Sequence, residues 1–169
     1  MYSVRNVTED VYWVGANDHR LALFENAYPI PRGVSYNSYL LMDEKTALFD
    51  TVDWSGCRQL LENMEHVLAG RPLDYLVINH LEPDHAGSIE EILLRWPNVV
   101  IISNEKAFMM MRQFKFPVDE HAIVEVKEGD TFSFGRHVVT FVFAPMVHWP
   151  EVMVTFDTTD GVLFSADAF

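Results

Sequence analysis

The sequence has one cysteine, Cys57, among its 169 residues. A single thiol excludes an internal disulfide, and it excludes a zinc or iron–sulfur site built mainly from cysteines. The N-terminal stretch MYSVRNVTED is polar and lacks the apolar core of a secretion signal. No apolar run approaches the length that a bilayer-spanning helix needs. These absences lead us to expect a cytoplasmic protein that does not enter a membrane.

Basic residues are also scarce, with 12 Lys and Arg against 25 Asp and Glu, a net charge of −13. Nucleic acids and anionic membrane surfaces require a cationic face, so we expect neither as a partner. Apolar residues at 49% and charged residues at 22% are typical of a globular chain with one buried core. Solubility explains most of the carboxylates, and binding of metal cations is the second explanation.

Repeats, low-complexity tracts and Gly/Ser-rich linkers are absent, so residues 1–169 are predicted to form one unit. A helix is predicted over 54–68, with Asp53 as its cap and Gly70 as its stop. Ser88 and Glu91 have the spacing of a capping box that begins a second helix. The predicted order is strand pairs, then alternating strands and helices, then strands again, which indicates a mixed, layered α/β architecture. In the middle region, buried strands are predicted over 73–78 and 99–102, and a helix over 104–114.

The segment His80-Leu81-Glu82-Pro83-Asp84-His85 places four potential metal ligands within six residues. It lies between a predicted buried strand and a predicted helix. Loops at strand ends are where open α/β sheets place their sites. Pro83 is expected to keep the segment out of regular helix. Because His, Glu and Asp are common on protein surfaces, a solvated polar loop is the alternative to a metal site.

Three further residues follow predicted strands. His148 comes after a strand at 137–143, and Asp167 comes after a strand at 162–165. A lone residue of this kind more often caps an element than binds a metal. Together with the segment that begins at His80, His148 and Asp167 make three strand ends that each deliver a metal-capable group to one rim of a sheet. This combination favours a metal centre. Asp50 follows another strand, and two interpretations stay open for it: support of a ligand histidine, or capping of the next segment.

The remaining histidines have no cluster of carboxylates or histidines around them in the sequence, so we expect them to lie outside any site. The run Met109-Met110-Met111 is expected to pack a helix rather than to bind copper, because consecutive helical positions point in different directions. The histidines concerned are His19, His66, His121 and His137.

Together, the His-x-Glu-x-Asp-His motif, the distant His148-Trp149-Pro150 and Ser165-Ala166-Asp167 resemble the flavodiiron proteins, also called A-type flavoproteins. Three other stretches are also similar to that family, so the resemblance covers essentially the whole chain. It implies an α/β fold of the metallo-β-lactamase-like αββα type. These stretches are Trp13-Val14-Gly15, Gly33-Val34-Ser35-Tyr36-Asn37-Ser38-Tyr39-Leu40 and Leu48-Phe49-Asp50-Thr51-Val52.

The resemblance implies an oxidoreductase that reduces O2 to water, NO to N2O, or both, at two non-haem iron ions. One iron would be held by His80, Glu82 and His148. Asp84 would hold the other, and Asp167 would bridge the two. The histidine that matches His85 is not a ligand in every member of the family, yet we include it, so that the predicted metal set is His80, Glu82, Asp84, His85, His148 and Asp167.

The family also has a further ligand histidine and a flavodoxin-like domain with FMN, and neither has a counterpart in residues 1–169. We therefore expect an αββα domain that is incomplete at its C-terminus and inactive by itself, with no FMN-binding residue. The remainder would lie in a longer polypeptide or in a second chain. The resemblance also implies a rubredoxin-like or flavin electron donor and a head-to-tail homodimer.

Two alternatives stay open. One is a zinc-dependent hydrolase of the metallo-β-lactamase superfamily, in which metal-bound hydroxide attacks an ester or a phosphodiester. Such hydrolases usually have histidine at the position of Glu82. A carboxylate there makes the site harder and more anionic, which suits iron better than zinc. The other alternative is a non-catalytic fragment.

Overall fold

The structure is a computed structural model that describes residues 2–24 and 26–168. The strands in these residues are β1 (Arg5–Asn6), β2 (Val11–Trp13), β3 (Ala16–Asp18), β4 (Leu23–Phe24), β5 (Tyr28–Pro29), β6 (Val34–Tyr36), β7 (Tyr39–Met42), β8 (Thr46–Phe49), β9 (Tyr75–Val77), β10 (Val100–Asn104), β11 (Ile123–Val126), β12 (Thr131–Ser133), β13 (Val138–Phe143), β14 (Met153–Asp157) and β15 (Val162–Phe164). The helices are α1 (Cys57–Leu68), α2 (Pro83–Ala86), α3 (Ile89–Arg95) and α4 (Glu105–Gln113), and short 3-10 turns span Trp54–Gly56 and Val118–Glu120.

Two larger sheets form the frame. The first has seven strands in the order β1-β2-β7-β8-β9-β10-β11, and the second has four in the order β12-β13-β14-β15. The first sheet is antiparallel from β1 to β8 and parallel from β8 to β11. The second sheet is antiparallel throughout. Parallel strands usually need a crossover connection, and α1, α3 and α4 lie in the crossovers between β8, β9, β10 and β11.

Alternate residues of the central strands face two different cores, because successive side chains of a strand point to opposite faces of its sheet. Leu48, Leu76 and Ile101 belong to the core that the helices cover. The next residue on each strand, namely Phe49, Val77 and Ile102, belongs to the core between the two sheets. The resulting layers are helix, sheet and sheet. This arrangement confirms the predicted αββα fold class for the layers that the described residues build.

Each core is built from large apolar side chains of the layers that enclose it. The helices contribute Leu60 and Met64 from α1 and Phe108 from α4, all fully or almost fully buried. The second sheet contributes Phe141 and Phe164, and the Phe164 ring stacks on Phe49 with centroids 3.8 Å apart. Burying one such side chain contributes about 1.5–3 kcal/mol.

The predicted starts and ends of the helices need two corrections. The helix predicted over 54–68 begins with a 3-10 turn, which Asp53 caps by accepting a hydrogen bond from the Ser55 amide. It ends at Leu68 as predicted, but the left-handed residue that caps it is Ala69 rather than Gly70. The prediction of a capping box formed by Ser88 and Glu91 was wrong. Ser88 makes no side-chain cap, because its hydroxyl donates instead to the Val52 carbonyl at 2.9 Å. Among the described residues, every helix is too short or too polar to cross a membrane.

Candidate metal centre

Three strand ends meet at one rim of the two-sheet frame, as the sequence predicts. His80 follows β9, His148 follows β13 and Asp167 follows β15. Two groups of metal-capable atoms form there, and within each group the atoms lie within 4.8 Å of one another. Asp167 belongs to both groups, so all six predicted residues converge on it. The first group is His80, Glu82, His148 and Asp167, and the second is Asp84, His85 and Asp167.

The expectation that Pro83 keeps its segment out of helix was wrong. Pro83 begins the short helix α2, and Glu82 precedes it in extended conformation at φ −60° and ψ 146°. Proline is favoured at the first helical position, since its missing N–H has no partner there and its φ already suits the helix. Asp84 and His85 therefore lie on one helical turn, while His80 and Glu82 lie on the extended segment before it.

The ligand segment packs tightly on its neighbours. The His85 carbonyl accepts hydrogen bonds from both the amide and the hydroxyl of Thr51, each at 2.7 Å. A Cβ atom at Gly87 would lie 2.6 Å from the Pro83 oxygen and 2.9 Å from the Trp54 nitrogen. Only glycine fits this approach, so the backbone of the site is held against the 3-10 turn that precedes α1.

In the first group, His80 is fully buried and has a carboxylate at each ring nitrogen. Its Nδ1 lies 2.8 Å from Glu151 Oε1, and its Nε2 lies 3.1 Å from Glu82 Oε2. His148 Nε2 lies 2.8 Å from the same Glu82 oxygen and 3.7 Å from Asp167 Oδ2. Two imidazoles and two carboxylates thus point at one small volume.

In the second group, His85 Nε2 lies 2.8 Å from Asp167 Oδ1 and 3.9 Å from Asp84 Oδ2. The other Asp84 oxygen, Oδ1, is buried and has no hydrogen-bond partner among residues 2–24 and 26–168. An unpaired buried carboxylate oxygen costs free energy, and a bound cation would remove that cost.

Asp50 supports the ligand segment, which favours the first of its two interpretations. Its Oδ1 accepts a hydrogen bond from the Asn79 amide at 2.7 Å, and its Oδ2 accepts one from the Asn79 side chain at 3.2 Å. The same Oδ2 lies 3.7 Å from His85 Nδ1. Asp50 therefore fixes the segment just before His80 and faces the outer nitrogen of His85.

Sequence reasoning missed Glu151. Its side chain is fully buried at the rim, and besides its contact with His80 its Oε1 accepts a hydrogen bond from the Leu81 amide at 3.0 Å. One signal was available: Glu151 is a carboxylate directly before the apolar residues Val152 and Met153, three positions after His148.

Close packing of charges shifts the pKa values at the rim. Burial raises the pKa of Asp84 to about 6, against the effect of His85 and with added repulsion from Asp167 and Glu82. Burial by itself would lower the pKa of His85, but the carboxylates of Asp167 and Asp50 outweigh it and raise the pKa to about 11. The hydrogen bond from His85 lowers the pKa of Asp167 despite its partial burial.

The rim lacks a fixed cation. In the part of the chain that the structure describes, the ion pairs of the rim carboxylates are all with histidines and none is with a lysine or an arginine. Carboxylate and imidazole ligands suit iron, manganese and zinc. The donor set, the unpaired Asp84 oxygen and the lack of a lysine or arginine partner among the described residues together fit a pair of metal cations.

One expectation about the other histidines was wrong. His137 is fully buried among charged groups, with Nδ1 at 2.8 Å from Asp157 and Nε2 at 3.2 Å from Asp10. Its partners come from other strands and turns, so its neighbours along the sequence could not reveal them. His66 stacks on Tyr2, and His19 contacts the Arg32 carbonyl, away from the rim as expected.

This chain is similar in sequence to a known protein family and to several known proteins. The family described as ODP family β-lactamase matches residues 34–169. A nitric oxide reductase from Moorella thermoacetica is 37% identical over 164 residues, which is 96% of this chain and 41% of that protein. An anaerobic nitric oxide reductase flavorubredoxin from Pectobacterium carotovorum is 39% identical over 166 residues, or 97% of this chain and 33% of that protein.

Solved structures of related proteins are also similar to this chain. Rubredoxin oxygen:oxidoreductase from Desulfovibrio gigas superposes with a TM-score of 0.87 at 34% identity, covering 95% of this chain and 40% of that one. The flavodiiron protein from Giardia intestinalis superposes with a TM-score of 0.87 at 27% identity, covering 98% of this chain and 40% of that one. The chain therefore spans between a third and about two fifths of the length of these relatives.

Proposed function

Because this chain belongs to the ODP family of β-lactamase-like domains, the type found in flavodiiron proteins, we propose that it holds the dinuclear iron centre of an oxidoreductase that reduces NO to N2O, O2 to water, or both. One observation carries the proposal: two groups of potential ligands, with His80, Glu82 and His85 buried, share Asp167 and have no lysine or arginine partner within the described residues. The names of the relatives, which include nitric oxide reductases and an oxygen oxidoreductase, support the substrate class.

The proposed ligand assignment uses the two groups. His80, Glu82 and His148 would hold one iron, Asp84 would hold the other, and Asp167, which belongs to both groups, would be shared between them. His85 faces the second position with its Nε2, so we assign it to that iron. Glu82 sits between the nitrogens of His80 and His148, at 3.1 Å and 2.8 Å, where a metal would replace its contacts with both rings.

The choice of iron rests on charge. Glu82, Asp84 and Asp167 supply three negative charges, which offset most of the charge of two ferrous ions and lower the cost of oxidising them. When bound, two ferrous ions would supply two electrons for the reduction of a diatomic substrate. The residues of this chain would orient the ions and screen their mutual repulsion, since Asp167 belongs to both ligand groups.

Turnover requires an electron source. We propose that the electrons come from FMN on a flavodoxin-like domain. A rubredoxin-like protein or a flavin electron donor would then reduce this FMN again. The relatives extend well beyond the part that this chain matches, which leaves room for such a domain in the same polypeptide or in a second chain. A head-to-tail homodimer would bring the flavin of one subunit to the irons of the other.

Metal analysis tests the proposal directly. Full-length protein is made with iron and zinc both available, purified anaerobically and analysed for its elements. We expect iron as the main metal, at close to two ions per domain. Near-stoichiometric zinc, together with hydrolysis of a phosphodiester or thioester, would replace the proposal with the hydrolase alternative.

A single substitution tests why the metal is iron. In Glu82→His, an imidazole replaces the carboxylate that contacts both His80 and His148. We expect the ratio of bound zinc to bound iron to rise, since neutral nitrogen ligands favour zinc and remove one negative charge. Glu82→Gln is the matched control: it removes the charge but adds no nitrogen ligand suited to zinc, so it should lose metal without gaining zinc.

A further inference from the structure

The contact between Glu151 and His80 joins two chain segments that lie 71 residues apart. His80 comes from the segment after β9, and Glu151 comes from the loop between β13 and β14. Both side chains are fully buried, and His80 Nδ1 lies 2.8 Å from Glu151 Oε1. The other nitrogen of the ring, Nε2, is the one that faces Glu82 and the rim.

Glu151 is fixed at both ends. Its Oε1 accepts a second hydrogen bond from the Leu81 amide at 3.0 Å, and its main-chain oxygen accepts one from the Asn104 side chain at 2.7 Å. Asn104 also caps α4 by accepting a hydrogen bond from the Ala107 amide. The carboxylate therefore cannot leave His80 without breaking its bond to Leu81, and Asn104 holds the main chain of Glu151 in place.

The same loop carries another ligand candidate. Glu151 follows His148 by three residues, and the Trp149 ring between them meets the His80 ring edge-on, with centroids 5.4 Å apart. The His80 ring is thus enclosed by residues of the His148 loop. A displacement of Glu151 would change the relative position of His80 and His148, the two imidazoles of the first group.

A simple need for hydrogen bonding does not account for this carboxylate. Its second oxygen, Oε2, is buried and has no hydrogen-bond partner in residues 2–24 and 26–168. Burying a charge with one oxygen unpaired is costly, and a neutral side chain would have satisfied His80 at lower cost. A carboxylate on the outer nitrogen of a ligand histidine fixes the proton there and makes the other nitrogen a stronger donor to metal.

We propose that Glu151 is a positioning residue for the metal centre: it holds the His80 proton on Nδ1 and so presents the Nε2 lone pair to the ion shared with Glu82 and His148. This inference rests on the proposed dinuclear site. It assigns Glu151 to only one of the two metal positions, because its side chain contacts His80 and not the residues of the second group.

The experiment compares Glu151→Gln and Glu151→Leu with Asp157→Asn in the full-length protein. Gln keeps an acceptor oxygen but loses the charge, and Leu loses both. Asp157→Asn is the matched control, since it alters a buried carboxylate that contacts His137 Nδ1 at the same 2.8 Å, away from the rim. Anaerobic titration with Fe2+ gives the affinity of each of the two positions, and the visible spectrum with Co2+ reports the ligand set.

We expect one of the two positions to bind Fe2+ about 10-fold more weakly in Glu151→Gln and about 100-fold more weakly in Glu151→Leu. The Co2+ spectrum of that position should change, and the other position and Asp157→Asn should match the wild type. In the metal-free protein, the exchange-protected Nδ1 proton of His80 should be visible by NMR and lost in Glu151→Leu. If Leu does not fold, the Gln variant and the proton signal of the wild type carry the test.

The outcomes separate this inference from the function it rests on. Wild-type protein that binds no metal would refute the dinuclear site itself, whatever the variants do. Wild-type protein with two ions and Glu151 variants with unchanged affinities and spectra would overturn the role of Glu151 alone. An equal loss in Asp157→Asn would overturn it as well, because the effect would then be general destabilisation.

Discussion

The β13–β14 strand pair has a buried histidine–carboxylate cluster at each end, and the two clusters differ in one component. At the rim, the loop that joins the strands carries His148 and Glu151. At the opposite end, His137 precedes β13 and Asp157 ends β14. The pairs His80–Glu151 and His137–Asp157 both have Nδ1 at 2.8 Å from a carboxylate oxygen.

The two clusters differ in that the one opposite the rim contains an arginine, Arg136, which is a permanently charged cation. Arg136 forms ion pairs with Asp10 at 2.6 Å and with Asp160 at 3.2 Å, and its Nη2 also lies 2.8 Å from His137 Nε2. We call these five residues, Asp10, Arg136, His137, Asp157 and Asp160, the Arg136 cluster. Within the described residues, the rim has no counterpart of that arginine. The Arg136 cluster pairs its carboxylates with an arginine of the chain, whereas in the described part of the chain the rim carboxylates pair with histidines alone.

The largest expected effect is the loss of metal in Asp167→Ala. Asp167 belongs to both ligand groups, so its removal weakens both positions and leaves the repulsion between the ions unscreened. His85→Ala is the comparison, because His85 belongs to one group only. After gel filtration, Asp167→Ala should retain less metal than His85→Ala. Equal losses, or a larger loss in His85→Ala, would contradict the bridging role.

Next in size is the loss of stability in His137→Leu. The substitution leaves the buried Asp157 carboxylate without its imidazole partner, and breaking a buried pair in this way costs about 3 kcal/mol of unfolding free energy. Metal content should not change, since the Arg136 cluster lies at the far end of β13. Denaturant unfolding and elemental analysis measure the two quantities. A parallel loss of metal would show that the two clusters are coupled.

Removing the arginine should make the Arg136 cluster more like the rim. In Arg136→Ala, the carboxylates of Asp10 and Asp160 lose their cation, with only a small loss of stability because water screens a guanidinium that is half exposed. His137, Asp157 and Asp160 already place ligand atoms within 4.8 Å of one another. We expect added Zn2+ to raise the melting temperature of this variant more than that of the wild type, with the rim already filled. Arg136→Lys, which keeps the charge, should not show this gain.

The smallest expected effect is a pH dependence that belongs to the Arg136 cluster. Burial would lower the pKa of His137, but the hydrogen bonds to Asp157 and Asp10 outweigh burial and the opposing charge of Arg136 and raise it. A raised pKa in the folded state means that this stabilisation is complete below the unfolded value of about 6.5 and is lost as the pH rises through the folded value.

The test measures the difference in unfolding free energy between wild type and His137→Leu as the pH is raised from about 6, just below that unfolded value. The difference should become smaller with rising pH. It should not vanish, because neutral His137 still donates from Nδ1 to Asp157 and can accept from Arg136 at Nε2. A difference that stays constant or grows would show that the pKa of His137 is not raised in the folded protein.

Elements with a strong local pattern were predicted well. Strands β9 and β10 were predicted where the structure has them to within two residues, because each is a short apolar run bounded by polar residues. Predictions failed where a residue had a choice of partner. The Ser88 hydroxyl could cap its own helix or bond to a distant carbonyl, and the closeness of Val52 decided between them.

The prediction that Pro83 excludes a helix failed for a different reason. Its sequence context was compatible both with a loop and with a first helical turn, and proline fits either. The helix exists because the Glu82 carbonyl accepts from the amides of His85 and Ala86, each at 2.9 Å. That choice sets the direction of Asp84 and His85, and the order of residues in the motif does not reveal it.

By itself, the sequence determined which chemical groups stand at which strand ends: a histidine and carboxylate motif after β9, His148 after β13 and Asp167 after β15. Only the tertiary structure decided how those groups are shared and held. Asp167 lies between two ligand groups, Glu151 contacts a histidine 71 residues away, and Arg136 neutralises one histidine cluster and not the other. The physical reason is reach: a hydrogen bond or an ion pair acts over about 3–4 Å, so strand register and sheet packing, not separation along the chain, decide which polar groups meet.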